Sequence, residues 1–503
     1  MPGLSKLIFA RRKVNLTLVL VLLGVVSIAL SIRLVQPIND KSIGEIDVYY
    51  WALRTQEYLH RGWSGIGTSL WVTPVVMGNL HRLVGGTLYD LFLWTGVFIS
   101  GIFPPIGVYL LTKEISSSRI AGIFGALSIA VNPIILYRSV FTVSETLAYV
   151  LIPWTLFFAV RLVKTKKLSM FFATGAGVIV AMQTHDSSKL LVLPAAISVV
   201  YFFWTTRKKK STWVVFTLTV LVGGWLLVHD PSIIAGLRFF LLPSNSGNSA
   251  FGKYPPVTYN TYVAVGLGAL SLFSIVGFFV WLIQGSRQRW VAIVLIAFIL
   301  PVLYYQQIQP RISESTIVPF RLTPYLSFAA APLFGVAVAG WLRAARAKRR
   351  LRVAVIFVAM VIIISQISLP NYSLAYVTGE AEQKSLLHLP VTQRDYLIVQ
   401  TSMIGMTSLA TNTNESNYYG DLTDRIFGAQ SGQAVRQRLQ AFMADYPTRP
   451  TGVLISKWKM TNRDPYYGWF DLLVNPNLNI AAWRASGLPI RYEDDNILIF
   501  DII

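Results

Sequence analysis

Acidic residues are scarce in this chain, and four short stretches hold them where an acid is expensive. The first is Glu45-Ile46-Asp47. In an extended segment alternate residues point the same way, so these two carboxylates can share a face. Two carboxylates on one face can hold a hard divalent cation, Mg or Mn, or divide acid and base roles between them. The plainer reading is a pair of solvated loop acids. The second stretch runs from Tyr137 and Arg138 to Glu145, where the acid can equally complement a helix N-terminus. The third is Arg311-Ile312-Ser313-Glu314, with Arg321 close behind. Arginines at a membrane rim can take lipid phosphates bidentately, or simply anchor at the interface. The fourth is His185-Asp186-Ser187-Ser188-Lys189, a whole turn of polar groups. His185 with Asp186 can join a metal site, or the turn can be merely solvated.

The elements that must position these residues are hydrophobic. The chain has 503 residues, of which 54% are hydrophobic and 13% charged, and its mean hydropathy is +0.53. A soluble chain carries roughly 25% charge. Apolar runs fall near residues 14–36, 88–112, 119–136, 146–162, 168–184, 190–206, 212–229, 260–283, 290–305, 322–342 and 353–369. The expectation is a polytopic α-helical membrane protein of about eleven spans. The run after Arg11-Arg12-Lys13 is long enough to span and no clear cleavage site follows it, so it reads as a retained first helix rather than a signal peptide.

Short basic segments alternate with longer, mixed ones along the chain. The basic set comprises 11–13, 113–119, 164–167, 207–210, 287–289 and 343–352. By the positive-inside rule this set is cytoplasmic, giving a cytoplasmic N-terminus and an outer C-terminus. The net charge of +21 is then topological and does not mark a nucleic-acid binder. Without cysteine, disulfides, thiolate catalysis and Cys-ligated metals are excluded. Under this topology all four acidic stretches lie on the outer face, and Glu114 is the acid left in the short inner loops.

Two regions are expected outside the bilayer. The first external loop, 37–87, has helical spacing from Tyr49 to Trp63 and from Leu70 to Leu83, as suits helices lying in the membrane interface. After the transmembrane part, 1–369, comes a small extracytoplasmic α/β domain, 370–503. Its strand-length runs are Tyr396–Thr401, Gly452–Ser456 and Asn496–Ile502. An amphipathic helix lies between the first two, with Val435, Leu439, Phe442 and Met443 on one face and Pro447 and Pro450 beyond it.

The stretch from Gly44-Glu45-Ile46-Asp47 through Tyr49-Tyr50-Trp51 to Gly62 resembles the first-loop acidic motif of the GT-C superfamily of membrane glycosyltransferases. In particular it is similar to oligosaccharyltransferase catalytic subunits and their archaeal relatives. Tyr137-Arg138-Ser139-Val140 to Glu145 resembles the second-loop motif of those enzymes, with one acid of their pair. Ile312-Ser313-Glu314 resembles the glutamate motif of their fifth external loop. The resemblance covers most of the layout of residues 37–330. It implies transfer of a sugar from a polyprenyl-phosphate-linked donor to a glycan, lipid or protein acceptor on the outer face of a cell membrane.

On that implication Asp47 is the base or key metal ligand, with Glu45 beside it as a catalytic candidate. Glu145 and Glu314 join Asp47 as ligands of a divalent metal, or position the acceptor. Arg311, Arg321 and Lys189 are candidates for the donor phosphate, and His185, Asp186 and Arg138 are further polar candidates. The chain carries no Trp-Trp-Asp-Tyr-Gly run, the motif with which the oligosaccharyltransferases read a peptide acceptor, and Tyr418-Tyr419-Gly420-Asp421 does not replace it. An oligosaccharyltransferase-like protein glycosylation enzyme is therefore the alternative reading. A transporter is the rival from another class. It would place its ionisable site near the midplane, often within an inverted repeat, and no internal repeat shows here. A non-enzymatic scaffold presenting the outer domain would need no cluster of outer acids.

Overall fold

The computed structural model describes residues 16–39, 46–66, 70–86, 88–139, 143–210, 212–217, 221, 256–258, 267–283, 289–312, 322–367, 385, 397–399, 428–445, 452–457 and 478–502. The chain divides into two compact units. One comprises Met1–Leu34, Phe98–Ser139 and Glu145–Pro370, and the other Val35–Val97, Val140–Ser144 and Asn371–Ile503.

Six helices among the described residues are long and apolar enough to cross a membrane: Leu16–Val35, Asp90–Ser116, Ser144–Thr165, Asp186–Thr206, Arg289–Arg311 and Thr323–Ala344. Shorter apolar helices include Arg119–Ala130 and Leu168–Met182. The chain is thus a multi-pass membrane protein.

In the first unit the Thr323–Ala344 helix is central, with an almost unbroken series of buried residues from Thr323 to Ala339. Its sequence, rich in Ala and Gly, explains why. Helices in lipid gain little from burying apolar surface and associate by close backbone approach at small residues. A Cβ on Gly335 would stand 2.2 Å from the carbonyl oxygen of Ala121, and one on Gly277 would stand 2.0 Å from that of Leu333. The Arg119–Ala130 and Leu267–Ile283 helices can approach this closely only with glycine at those points.

The apolar run expected at 119–136 is not one helix. Arg119–Ala130 ends, and Pro133–Ser139 begins after a break. Pro133 has no N–H to continue the first helix. Asn132 Oδ1 instead accepts from the Ile135 amide at 3.2 Å, the usual cap of a new helix. The freed carbonyl of Ala130 is taken by Arg33 of the first span. Arg33 is fully buried; its Nη1 donates to Ala130 O at 2.9 Å and its Nε to Ser100 Oγ at 3.1 Å. A cation at a helix C-terminus also complements the helix dipole.

In the second unit the helices Ile46–Arg61 and Val72–Val84 pack together. Val48, Trp51, Ala52 and Thr55 are buried, the stripe a helix makes. The helix begins at Ile46, so Asp47 is in its first turn and the extended segment expected across Glu45–Asp47 does not reach it. Glu45 lies outside the described residues. Further along, Tyr58 meets Trp63 edge-on at 6.1 Å, and Arg82 lies over the Tyr58 ring.

Among the described residues, the C-terminal part of this unit holds a four-stranded sheet in the order β1-β2-β4-β3. The strands are β1 Leu397–Val399, β2 Gly452–Ser456, β3 Ile490–Glu493 and β4 Ile497–Asp501. β1 runs parallel to β2, and β4 is antiparallel to both β2 and β3. Val453 pairs with Phe500 and Ile455 with Leu498. These four share a face and enter one core with Val435, Leu439 and Phe442 of the Gly432–Asp445 helix and with Trp483. Met443 packs partly buried against that core. Strand β3 was not among the expected strand runs.

Candidate active site

Three chain segments deliver polar side chains to one point in the first unit. Glu145 sits in the first turn of the Ser144–Thr165 helix and is 3% exposed. His185 is the N-cap of a 3-10 turn, Asp186–Leu191, that runs directly into the Val192–Thr206 helix. Tyr325 lies in the first turn of the Thr323–Ala344 helix, whose start carries Pro at its first positions. His185 Nε2 is 3.4 Å from Glu145 Oε1, and the Tyr325 hydroxyl is 3.4 Å from His185 Nδ1.

The donors around His185 assign its tautomer. Nδ1 accepts from the Ser187 backbone N–H at 3.2 Å. An amide N–H can only donate, so Nδ1 is bare, and in the neutral ring the proton must be on Nε2. Nε2–H therefore faces the Glu145 carboxylate, and the Tyr325 hydroxyl stands 3.4 Å from Nδ1. The ring of Tyr325 rests edge-on against Tyr149, one helical turn beyond Glu145, with centroids 6.1 Å apart.

An apolar cleft of about 600 Å³ lies between the Leu267–Ile283, Arg289–Leu303 and Thr323–Ala344 helices. Ile275, Phe278, Ile299, Leu303, Leu326 and Leu333 are among its lining residues. Its one buried hydroxyl at Ser274 is satisfied internally, donating to Ala330 O at 2.7 Å. Leu326 follows Tyr325 in sequence, so cleft and polar cluster share one turn of a helix, offset by about 100° around its axis.

Of the residues singled out in the sequence, Glu145 and His185 are brought together across forty positions of chain. Asp186 is not with them. It is 61% exposed and takes the Lys189 ammonium at 2.7 Å, so the expected joining of His185 with Asp186 is replaced by two separate pairs. Arg311 is exposed in the short Gln309–Ile312 helix. Asp47 and Arg138 are described in backbone only, Asp47 in the second unit and Arg138 in the Pro133–Ser139 helix. Glu314 and Arg321 lie outside the described residues. Tyr325 and Tyr149 were not anticipated. The available signals were Pro324, which marks a helix start, and the four-residue spacing of Glu145 and Tyr149.

As metal ligands these residues fit unevenly. The Glu145 carboxylate offers the oxygen a hard cation prefers. His185 does not fit, because binding a metal through Nε2 would move its proton to Nδ1, where the Ser187 amide already donates. Among the described residues no three His, Asp or Glu side chains gather as a metal site.

Residues 80–228 match the family model described as dolichyl-phosphate-mannose-protein mannosyltransferase. No curated protein matches the chain in sequence. Among solved structures, the oligosaccharyltransferase of Archaeoglobus fulgidus in its apo form is similar, with a TM-score of 0.60 and 13% identity over 87% of this chain and 69% of that one. The same organism's AglB, in complex with an inhibitory peptide and a dolichol-phosphate, gives a TM-score of 0.59 at 13% identity over 88% of this chain and 70% of that one. ArnT from Cupriavidus metallidurans bound to undecaprenyl phosphate gives 0.54 at 13% identity, over 96% of this chain and 97% of that one.

Proposed function

We propose that this chain, which has the fold of the GT-C superfamily of membrane glycosyltransferases, transfers a sugar from a polyprenyl-phosphate-linked donor to an acceptor at the outer face of the membrane. The observation that carries the reading is the Glu145–His185–Tyr325 cluster at three helix starts, one residue from an apolar cleft. A donor of this class needs both parts: a groove for its isoprenoid chain and polar groups at its reacting head. The solved relatives bound to dolichol-phosphate and undecaprenyl phosphate support the same donor class.

In the reaction an acceptor hydroxyl oxygen attacks C1 of the donor sugar. The C1–O bond to phosphate breaks, its electron pair leaves with polyprenyl phosphate, and the hydroxyl proton passes to a carboxylate. Asp47, with Glu45 near it, is our choice for that base. Glu145 and Glu314 complete the acidic set, and Arg311, Arg321 and Lys189 are the cations offered to the leaving phosphate. A divalent cation on Asp47, Glu145 and Glu314 would offset phosphate charge when bound.

The proposed topology of about eleven spans, N-terminus inside and C-terminal domain outside, has support at both ends of the first unit. The basic-loop residue Lys164 pairs with Glu114 at 3.7 Å, and Lys166 lies over the ring of Tyr201 near the next basic loop. The three starts carrying Glu145, His185 and Tyr325 gather separately. Protein as acceptor is a second reading, favoured by the description of the matching family and opposed by the missing Trp-Trp-Asp-Tyr-Gly run.

The test uses the full chain in nanodiscs with a radiolabelled polyprenyl-phosphate sugar and a panel of hydroxyl acceptors. Wild type is expected to release polyprenyl phosphate in step with sugar transfer, and Asp47→Asn to lose at least about 100-fold. Normal turnover by Asp47→Asn would remove Asp47 from the base role.

A further inference from the structure

We infer that His185 is a positioning residue that aims the Glu145 carboxylate. The inference rests on the transferase reading for its kinetic consequence, but its structural content stands on the geometry alone. His185 is held from three sides. Its Nδ1 accepts from the Ser187 amide at 3.2 Å, the Tyr325 hydroxyl stands 3.4 Å from the same atom, and Nε2 faces Glu145 Oε1 at 3.4 Å.

A side chain that served only as an N-cap would need one acceptor atom and nothing more. Here the ring carries that cap on one nitrogen and offers a donor from the other, across forty residues of chain, to a carboxylate that is nearly fully buried. Glu145 stands at the start of its own helix. The His185 donor gives it a directional constraint. Tyr325, wedged against Tyr149, fixes the ring from behind. The ring thus accepts the Ser187 N–H at Nδ1 and turns Nε2–H toward Glu145, with the Tyr325 hydroxyl close to Nδ1.

Two substitutions separate the cap from the aim. Asparagine places its oxygen near Nδ1, so H185N keeps the Ser187 cap but cannot reach Glu145. Glutamine places its amide nitrogen near Nε2, so H185Q keeps a donor toward Glu145. If His185 positions Glu145, H185N lowers kcat by about 10–100-fold, the loss typical of residues that orient an active group, with KM for the lipid donor little changed. H185Q recovers most of that loss. H185N is then no worse in an E145Q background than E145Q alone. A cap without aim predicts the reverse, with H185N at the wild-type kcat, and that result overturns the inference.

A second readout needs no activity. In the full chain labelled with ring-15N histidine, H185N identifies the His185 signals among the five histidines. These are expected to report the Nε2–H tautomer and to shift in E145Q. An Nδ1–H tautomer, or no response to E145Q, refutes the inference. Should wild type transfer no sugar while the tautomer and its response hold, the functional reading falls and the His185–Glu145 assignment remains.

Discussion

Tyr149 and Tyr325 lock edge to face, their ring planes 81° apart. Both rings are fully buried, and they join the helix bearing Glu145 to the helix that lines the apolar cleft. Tyr149→Ala should therefore act twice. Emptying the site should cost about 3–5 kcal/mol, as for other buried aromatics cut to alanine, visible as a lower melting temperature in detergent. It should also free the Tyr325 ring, so sugar transfer should fall at temperatures where the variant is still folded. A variant as stable as wild type would contradict the packing described.

Gly335 and Gly24 make a matched pair for the membrane helices. A Cβ at Gly335 meets backbone at 2.2 Å, whereas one at Gly24 meets nothing within 4 Å. Backbone cannot step aside as a side chain can. Gly335→Val should fail to yield a monodisperse protein, and Gly24→Val should leave the melting temperature close to wild type. Equal behaviour of the two on gel filtration would refute the close crossing with Arg119–Ala130.

The absence of cysteine makes topology easy to probe. Ser64 and Lys208 are both exposed. In intact cells Ser64→Cys should react with an impermeant maleimide and Lys208→Cys should react only after permeabilisation. External labelling of Lys208→Cys would end the proposed orientation.

Glu493 supplies a pH dependence. A hydrogen bond from Lys457 at 2.8 Å, with Arg484 also in contact, holds this carboxyl below its ordinary value of 4.5. A depressed carboxylate stabilises the folded state fully above the ordinary value and loses that contribution as pH falls through the lower, folded value. Protection of the β4 amides in the full chain, measured against the intrinsic exchange rate at each pH, should therefore fall below pH 4.5. Lys457→Met should lower that protection already at neutral pH and flatten its acid dependence. Identical profiles for the two proteins would show that the pair is not felt by the sheet.

Local periodicity carried much of the architecture, because it is a property of neighbouring residues. Val435, Leu439 and Phe442 face one core as their spacing implies, and helices cover most of the apolar runs. The break at Asn132-Pro133 was obscured because apolar residues continue on both sides of it. The site was harder to read. Glu145 is distinctive as a lone acid, but nothing in sequence ties it to His185, since pairing across forty residues depends on how helices pack. Adjacency suggested His185 with Asp186. The 3-10 turn sends them apart, with the ring folding back onto Ser187 while Asp186 reaches Lys189 one turn on. Tyr325 resembles any aromatic in an apolar helix until its hydroxyl is seen against Nδ1.

Arg33 bears on how the protein is made. Its first span emerges from the ribosome well before two of the groups that receive its guanidinium, with Ser100 67 and Ala130 97 residues further along; a third, the Ala29 carbonyl, lies in its own helix. At roughly 5–20 residues per second, synthesis of Ala130 follows that of Arg33 by roughly 5–20 s. An arginine held in hydrocarbon costs up to about 2.5–3.5 kcal/mol on insertion scales, so before those groups arrive the nascent span is expected to keep Arg33 at the translocon or at a lipid headgroup. Arrested chains ending before Ala130 should crosslink there through position 33, and longer chains should not. On this account the first helix is the first to be synthesised and among the last to settle, its final depth waiting on the completion of a helix that it then caps.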